Sequence, residues 1–154
     1  MTKNNNPINF QIKAVKTIEF CFTPPDRTIK KGERFTFKLK TEFLVNIEKN
    51  VVAIRLTVEM FDKKRAKLIA SIKTENYFEI KDLKQFIQKD HSDSIKLPDL
   101  LLSALINISI GTARGILITK VGGTVLDQMV LPIIQTNALI PLKPIKFKEE
   151  LIKK

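Results

Sequence analysis

Few residues in this chain are of types that do chemistry, and their spacing assembles no reaction. His91 is the only histidine. It sits between Asp90 and Asp93 in a polar stretch, where a solvated side chain is the ordinary outcome. A general base must lie within hydrogen-bond reach of the proton it takes, and no motif ties a serine or cysteine to His91. Asp90 and Asp93 lack the glycine turn and closing glutamate of a calcium loop. Cys21 is the only cysteine, so neither an intramolecular disulfide nor a thiolate metal cluster can form within one chain. Gly122-Gly123-Thr124 is a glycine turn without the lysine pattern of a phosphate loop. The sequence therefore predicts no catalytic residue, no metal and no cofactor.

What the chain offers instead is apolar surface. Residues 100–113 carry no charge, in a protein of net charge +11. Pro98 fits the first turn of a helix, Asp99 suits its positive end, and Gly122-Gly123 ends it. On that helix Asp99, Ser103, Asn107 and Arg114 form one narrow polar stripe, and the rest is apolar or small. A helix apolar almost all round needs cover on more than one side. A sheet on one side and a second subunit on the other would supply it. The residues expected at that seam are Leu101, Ala104, Leu105, Ile108, Gly111 and Gly115. The two glycines each cost about 1 kcal/mol against alanine in a helix, which points to close packing or a bend. The uncharged run falls short of the ~20 residues that span a bilayer and has the length of a core helix; no membrane span is expected.

Four stretches ahead of this helix alternate with the period of strands. Phe35, Phe37, Leu39, Phe43, Val45 and Ile47 share one face of the second, with Leu44 the exception. Val52, Ile54, Leu56, Val58 and Met60 share one face of the third, after a short turn at residues 48–50. A turn at 62–65 leads to the fourth, with Leu68, Ala70, Ile72 and Phe78 inward. The first, over 8–22, is less regular. Ile8, Phe10, Ile12, Ile18, Phe20 and Phe22 share a side, but Lys16 falls among them and Val15 opposite. After Ile80 the period turns helical, with Leu83, Phe86 and Ile87 together. The expectation is an α+β fold, a four-stranded antiparallel sheet with a long apolar helix packed on one face. A single domain over 1–154 holds the sheet at 7–80, helices at 82–121 and an irregular C-terminal segment at 122–154. One substantial helix leaves part of a long sheet open as a groove. Phe22, Ile29, Phe35, Phe37, Phe43 and Leu97 are its candidate lining.

Composition narrows the function classes. The 154 residues suit one domain with a real core. The N-terminus has no apolar signal region, and with a lone cysteine the expected setting is cytoplasmic. There are 27 basic and 16 acidic residues, a balance that attracts acidic partners, including nucleic acid. The lysines are spread along every segment, and the aromatics around Lys38 and Lys40 point to the opposite face. Single-strand platforms need both on one surface, so a basic nucleic-acid-binding module is the lesser alternative.

The order of motifs resembles the SecB export-chaperone family and its SecB-like relatives. Phe78-Glu79-Ile80 is similar to the family's phenylalanine followed by an acidic–aliphatic step at the end of the fourth strand. Ala113-Arg114 match the last two residues of its Tyr-Ala-Arg step, with Thr112 in place of the tyrosine. Gly122-Gly123 and Leu131-Pro132 approximate its glycine turn and Leu-x-Pro-type segment. The match runs over about residues 8–135. The resemblance implies a homotetramer built as a dimer of dimers with long helices between sheets. It implies ATP-independent holding of unfolded or exported polypeptides in apolar grooves, and a translocase motor ATPase as a further partner. Two features depart from the family. Its exporting members are strongly acidic and dock the motor partly through that acidity, and its second long helix is replaced here by a proline-interrupted segment. A SecB-like holdase is the favoured reading, with a SecB-like partner of a toxin–antitoxin system as another alternative.

Overall fold

Apolar residues at every second position zip four strands into one antiparallel sheet with a dry face and a wet face. The structure is a computed structural model describing residues 7–64, 66–89, 94–142 and 145–146. The strands are β1 (Phe10–Phe22), β2 (Thr36–Asn46), β3 (Val51–Asp62) and β4 (Lys67–Ile80). Their spatial order is β1-β4-β3-β2. The β2–β3 and β3–β4 hairpins put three strands side by side, and β1 closes the sheet beside β4. The β1–β2 connection must therefore cross from one edge of the sheet to the other.

The dry face is built in cross-strand rows. Val52, Ile54, Leu56, Val58 and Met60 on β3 lie beside Ala70, Ile72, Phe78 and Ile80 on β4, and all are buried. A helix, α1 (Asp99–Val121), covers these two central strands. It buries nine side chains, among them Leu101, Leu105, Leu102, Ile106, Ala113 and Leu117. Their spacing of three to four residues makes one continuous stripe against the sheet. Full burial of a leucine or isoleucine contributes about 1.5–3 kcal/mol, so this contact organises the core. The helix has 23 residues and by length and composition alone could cross a bilayer. That is longer than the uncharged run implied, but its buried stripe is the pattern of a core helix.

The helix ends where the glycines predict. Gly122 N–H donates to the Ile118 carbonyl at 3.1 Å. Gly123 adopts φ 74°, a conformation that suits glycine. Three short strands, β5 (Gln88–Lys89), β6 (Ser94–Lys96) and β7 (Ile145–Lys146), form a small second sheet in the order β5-β6-β7. Residues 122–142 are otherwise a turn, extended pieces and a 3-10 turn at Thr136–Leu139. His91, Asp90 and Asp93 lie outside the described residues.

Two expectations about strand faces change. The irregular alternation of β1 has a structural cause, because its register against β4 shifts between Ile12 and Ala14 and again between Thr17 and Glu19. Each shift is a bulge that inserts a residue and flips the pleat. Val15 consequently lies opposite buried Asn76, on the dry side with Ile12, while Ile18 is the inserted residue. A third shift, between Met60 and Phe61, sets Leu68 opposite Phe61. Leu68 is therefore half-exposed rather than inward, and Ile69 is buried instead.

The dry face contains a polar defect. Thr74 and Asn76 are fully buried on β4. Thr74 Oγ1 and both polar atoms of the Asn76 amide have no hydrogen-bond partner among the described residues. Such groups lose their hydration for nothing, at about 1–3 kcal/mol each. Replacing Thr74 by the isosteric valine removes that cost without a cavity. Thr74→Val should raise the urea midpoint by the equivalent of about 1 kcal/mol with an unchanged slope. A lowered midpoint would contradict an unpaired hydroxyl.

Candidate functional site

Two surfaces carry the apolar character that the sequence singled out. One is the outer face of α1. The other is the uncovered margin of the dry sheet face, at β1 and β2.

On α1 the expected seam residues divide. Leu101 and Leu105 point into the core and are almost fully buried, so they are not available to a second subunit. The apolar stripe was legible in the sequence, but which side faced the sheet was not. Ala104 and Ile108 are part-exposed, and Gly111 and Gly115 are exposed. Leu100, exposed at 81%, and Ile118 extend the same uncharged stripe at either end. A Cβ added at Gly111 or Gly115 would meet nothing within 4 Å. These glycines therefore answer to no neighbour within the described chain.

The polar stripe of the helix has a task that its spacing did not reveal. Arg114 Nε donates to the Leu131 carbonyl at 2.8 Å, and Nη2 donates to the Pro132 carbonyl at 2.9 Å. Ser103 shares a hydrogen bond with Thr136 at 2.8 Å. Thr41 on β2 donates to the Leu139 carbonyl at 3.3 Å. The segment after the glycine turn thus runs back along the helix and reaches β2. It supplies part of the cover that the uncharged helix requires. The motif residues belong to this arrangement. Ala113 is buried against the sheet, Arg114 beside it holds the returning chain, and Phe78 meets Phe10 edge-on at 6.3 Å.

The candidate groove residues also divide. Phe22, Ile29, Phe35, Phe37 and Phe43 are half-buried against the edge of the core. Leu97 is almost fully buried within it, away from the β1 and β2 margins. Register places Phe22 opposite Ala70, Ala70 opposite Met60, and Met60 opposite Phe37. These four form one row across the dry face, with a phenylalanine at each margin about 14 Å apart (three strand spacings of ~4.8 Å). Phe43 pairs with Ile54, six residues along β2 from Phe37, or about 20 Å away. The row and Phe43 are therefore separate points on one margin. Ile12 and Val15 on β1, 49% and 41% exposed, extend the open margin on the other side. Val15 was hidden from sequence reasoning by the bulge beside it.

The connection between β1 and β2 is locked in place by Arg27. Its guanidinium donates from Nε and Nη2 to Asp62 at 2.8 and 2.9 Å. It donates from Nη1 and Nη2 to Glu33 at 3.0 and 2.7 Å. The side-chain hydrogen bond from Arg27, with a second from the Lys30 backbone N–H, pulls the Glu33 carboxyl down to about 2. Asp62 and Glu33 in turn hold Arg27 charged. Nothing in the sequence joins a loop arginine to the end of the third strand; the crossing connection does so.

The wet face is electrically mixed. Lys13 pairs with Glu79 at 2.8 Å and Lys73 with Glu19 at 3.6 Å. Arg55 pairs with Glu75 and Glu42. Burial alone would push Glu75 up, but hydrogen bonds from Tyr77 and Arg55 outweigh it and hold the carboxyl below its usual range. Burial and the bond to Glu75 push Tyr77 up to about 12. Among the described residues no group of three His, Cys, Asp or Glu side chains could hold a metal ion.

No protein-family profile matches the sequence, and no curated protein matches it. Among solved structures the chain is similar to the SecB-like chaperone Rv1957 of Mycobacterium tuberculosis, solved in complex with a ChAD peptide from the HigA1 antitoxin. The TM-score is 0.60 at 11% identity, over 82% of this chain and 90% of that one. The two share a fold: an α+β arrangement with a four-stranded antiparallel sheet and one long helix.

Two outcomes follow from the anchors. Arg114→Met keeps the aliphatic stem and removes both bonds to the returning chain. It should cost about 2 kcal/mol and speed amide exchange in residues 131–142; unchanged exchange there would refute the clamp. Glu33, depressed from 4.5 to about 2, contributes stability that is full above 4.5 and fades as pH falls toward 2. Glu33→Gln should therefore unfold with a shallower acid dependence across that window. A variant as acid-sensitive as the parent would count against the Arg27 clamp.

Proposed function

We propose that this chain is a non-enzymatic, SecB-like holdase. It binds unfolded polypeptides without ATP, acts in the cytoplasm and works as a homo-oligomer of the tetrameric kind. The observation that carries this reading is the uncovered margin of the dry face. α1 lies over β3 and β4, while Phe22, Phe37, Ile12 and Val15 on the flanking strands, and Phe35 just before β2, remain part-exposed. Burying a client's apolar side chains there is worth ~25 cal/mol per Å² and asks for little sequence preference. The shared fold with a SecB-like chaperone supports the same reading.

The antitoxin peptide bound to that neighbour favours a narrower version. In it the client is a segment of an antitoxin, and the chain serves a toxin–antitoxin system rather than general export. Docking on a translocase motor is the weaker proposal, because the acidity used for it is absent from a chain of net +11. The nucleic-acid alternative draws no support from the wet face, whose cations are interleaved with carboxylates.

Near-stoichiometric protein should suppress aggregation of an unfolded model enzyme as it is diluted from denaturant. No suppression at several-fold excess would sink the holdase reading. The oligomer has its own test. A Cβ at position 111 meets nothing within 4 Å among the described residues, and Gly111→Leu should stabilise the isolated helix by about 1 kcal/mol. It should nonetheless lower the sedimentation mass by blocking a partner's approach. An unchanged mass would remove α1 from the interface.

A further inference from the structure

The charge of this chain is not spread evenly over its surface. At one end of the sheet the β1–β2 connection crosses the β3–β4 turn, and Arg27 ties the two together. The connection presents Lys30, Lys31 and Arg34, and the turn region presents Lys63, Lys64 and Lys67. All six are exposed, and none makes an ion pair among the described residues. The acids at this end do not neutralise them. Glu33 and Asp62 are both taken up by Arg27, which leaves Asp26 as one further acid among six cations. Lys120, in the last turn of α1, adds a seventh cation nearby, 5.8 Å over the ring of Phe20.

The same end holds the apolar row. Phe22 and Phe37 stand at its two margins, with Ile29 from the connection and Phe35 at the foot of β2 packed beside the core. Cations and half-open apolar side chains therefore share one rim. Elsewhere on the sheet Lys13, Arg55 and Lys73 are paired with carboxylates, and Lys16 and Lys38 lie over the rings of Tyr77 and Phe61. A nucleic acid would want flat aromatic faces open to solvent beside the cations. These phenylalanines instead pack their rings on the core and offer only part of their surface.

We propose that this rim docks acidic stretches of polypeptide that also carry apolar side chains. The proposal rests on the holdase reading and names the client class it would prefer. The apolar side chains settle on the Phe22–Phe37 row, and client carboxylates lie against the cations of the two loops. Lysines on short loops act at a range set by the Debye length, ~10 Å at 0.1 M salt. Their effect is therefore to speed encounter and to select by charge, more than to add contact energy.

The test uses the full chain and three unstructured peptides of equal length with identical leucines and phenylalanines. Their remaining positions are filled by glutamate, by lysine or by serine. At about 50 mM salt the glutamate peptide should bind at least tenfold more tightly than the lysine peptide, and the difference should shrink at about 300 mM as charges are screened. The combined variant Lys30→Glu, Lys31→Glu, Lys63→Glu, Lys64→Glu changes exposed side chains only. It should lose the preference and keep its affinity for the serine peptide. Equal affinity for the glutamate and lysine peptides, or an undiminished preference in the variant, overturns the proposal while leaving the holdase reading intact. Binding to none of the three overturns both. Single-stranded RNA that displaces the glutamate peptide at equal concentration, and fails to do so in the variant, would assign the rim to nucleic acid instead and overturn the proposal.

Discussion

Four strands side by side are about 19 Å wide, and a helix with its side chains is about 10–12 Å across. One helix therefore cannot roof this sheet. α1 settles over the two central strands, where Val52 to Met60 and Ala70 to Ile80 give it the most apolar surface. The consequences spread outward from that mismatch. The margins at β1 and β2 stay part-open, the C-terminal segment returns to cover one flank, and the outer face of α1 keeps an uncharged stripe. A protein that finished its own core would have none of these features.

The polar side chains are disposed to hold this incomplete roof in place. Arg114, Ser103 and Thr41 do not solvate the helix and sheet; they tether the returning segment to both. Arg27 does the same for the crossing connection, against Glu33 and Asp62. Both arginines spend their forked donors on neighbouring chain rather than on solvent, which suits a planar guanidinium with fixed donor geometry. The segments so fixed border the open apolar margins. They give those margins defined edges. The buried, unpaired Thr74 and Asn76 show the opposite economy, with stability given up within the roofed strands themselves.

Composition and alternation were enough to read four strands, the helix after Pro98, its glycine stop and the antiparallel hairpins. These are local properties, set by which residues can share a face within a few neighbours. The candidate site was legible only in part. Phe22, Phe35 and Phe37 were found because alternation puts them on the dry face. Val15 was lost, and Leu68 misplaced, because a bulge changes the face without changing residue types. Leu97, Leu101 and Leu105 were assigned to outer surfaces because an apolar residue carries no mark of which neighbour will cover it.

By itself the sequence determined an α+β chain of four alternating strands followed by a long apolar helix. Side-chain period and residue chemistry decide that much without reference to distant parts. Only the tertiary structure decided the strand order, and with it the crossing connection. The same ordering brings the cations of residues 30–34 against those of residues 63–67, and sets Phe22 and Phe37 in one row. Contacts between residues far apart in the chain depend on which strand pairs with which. That choice is made by the total fit of sheet, helix and returning segment, and no local pattern encodes it.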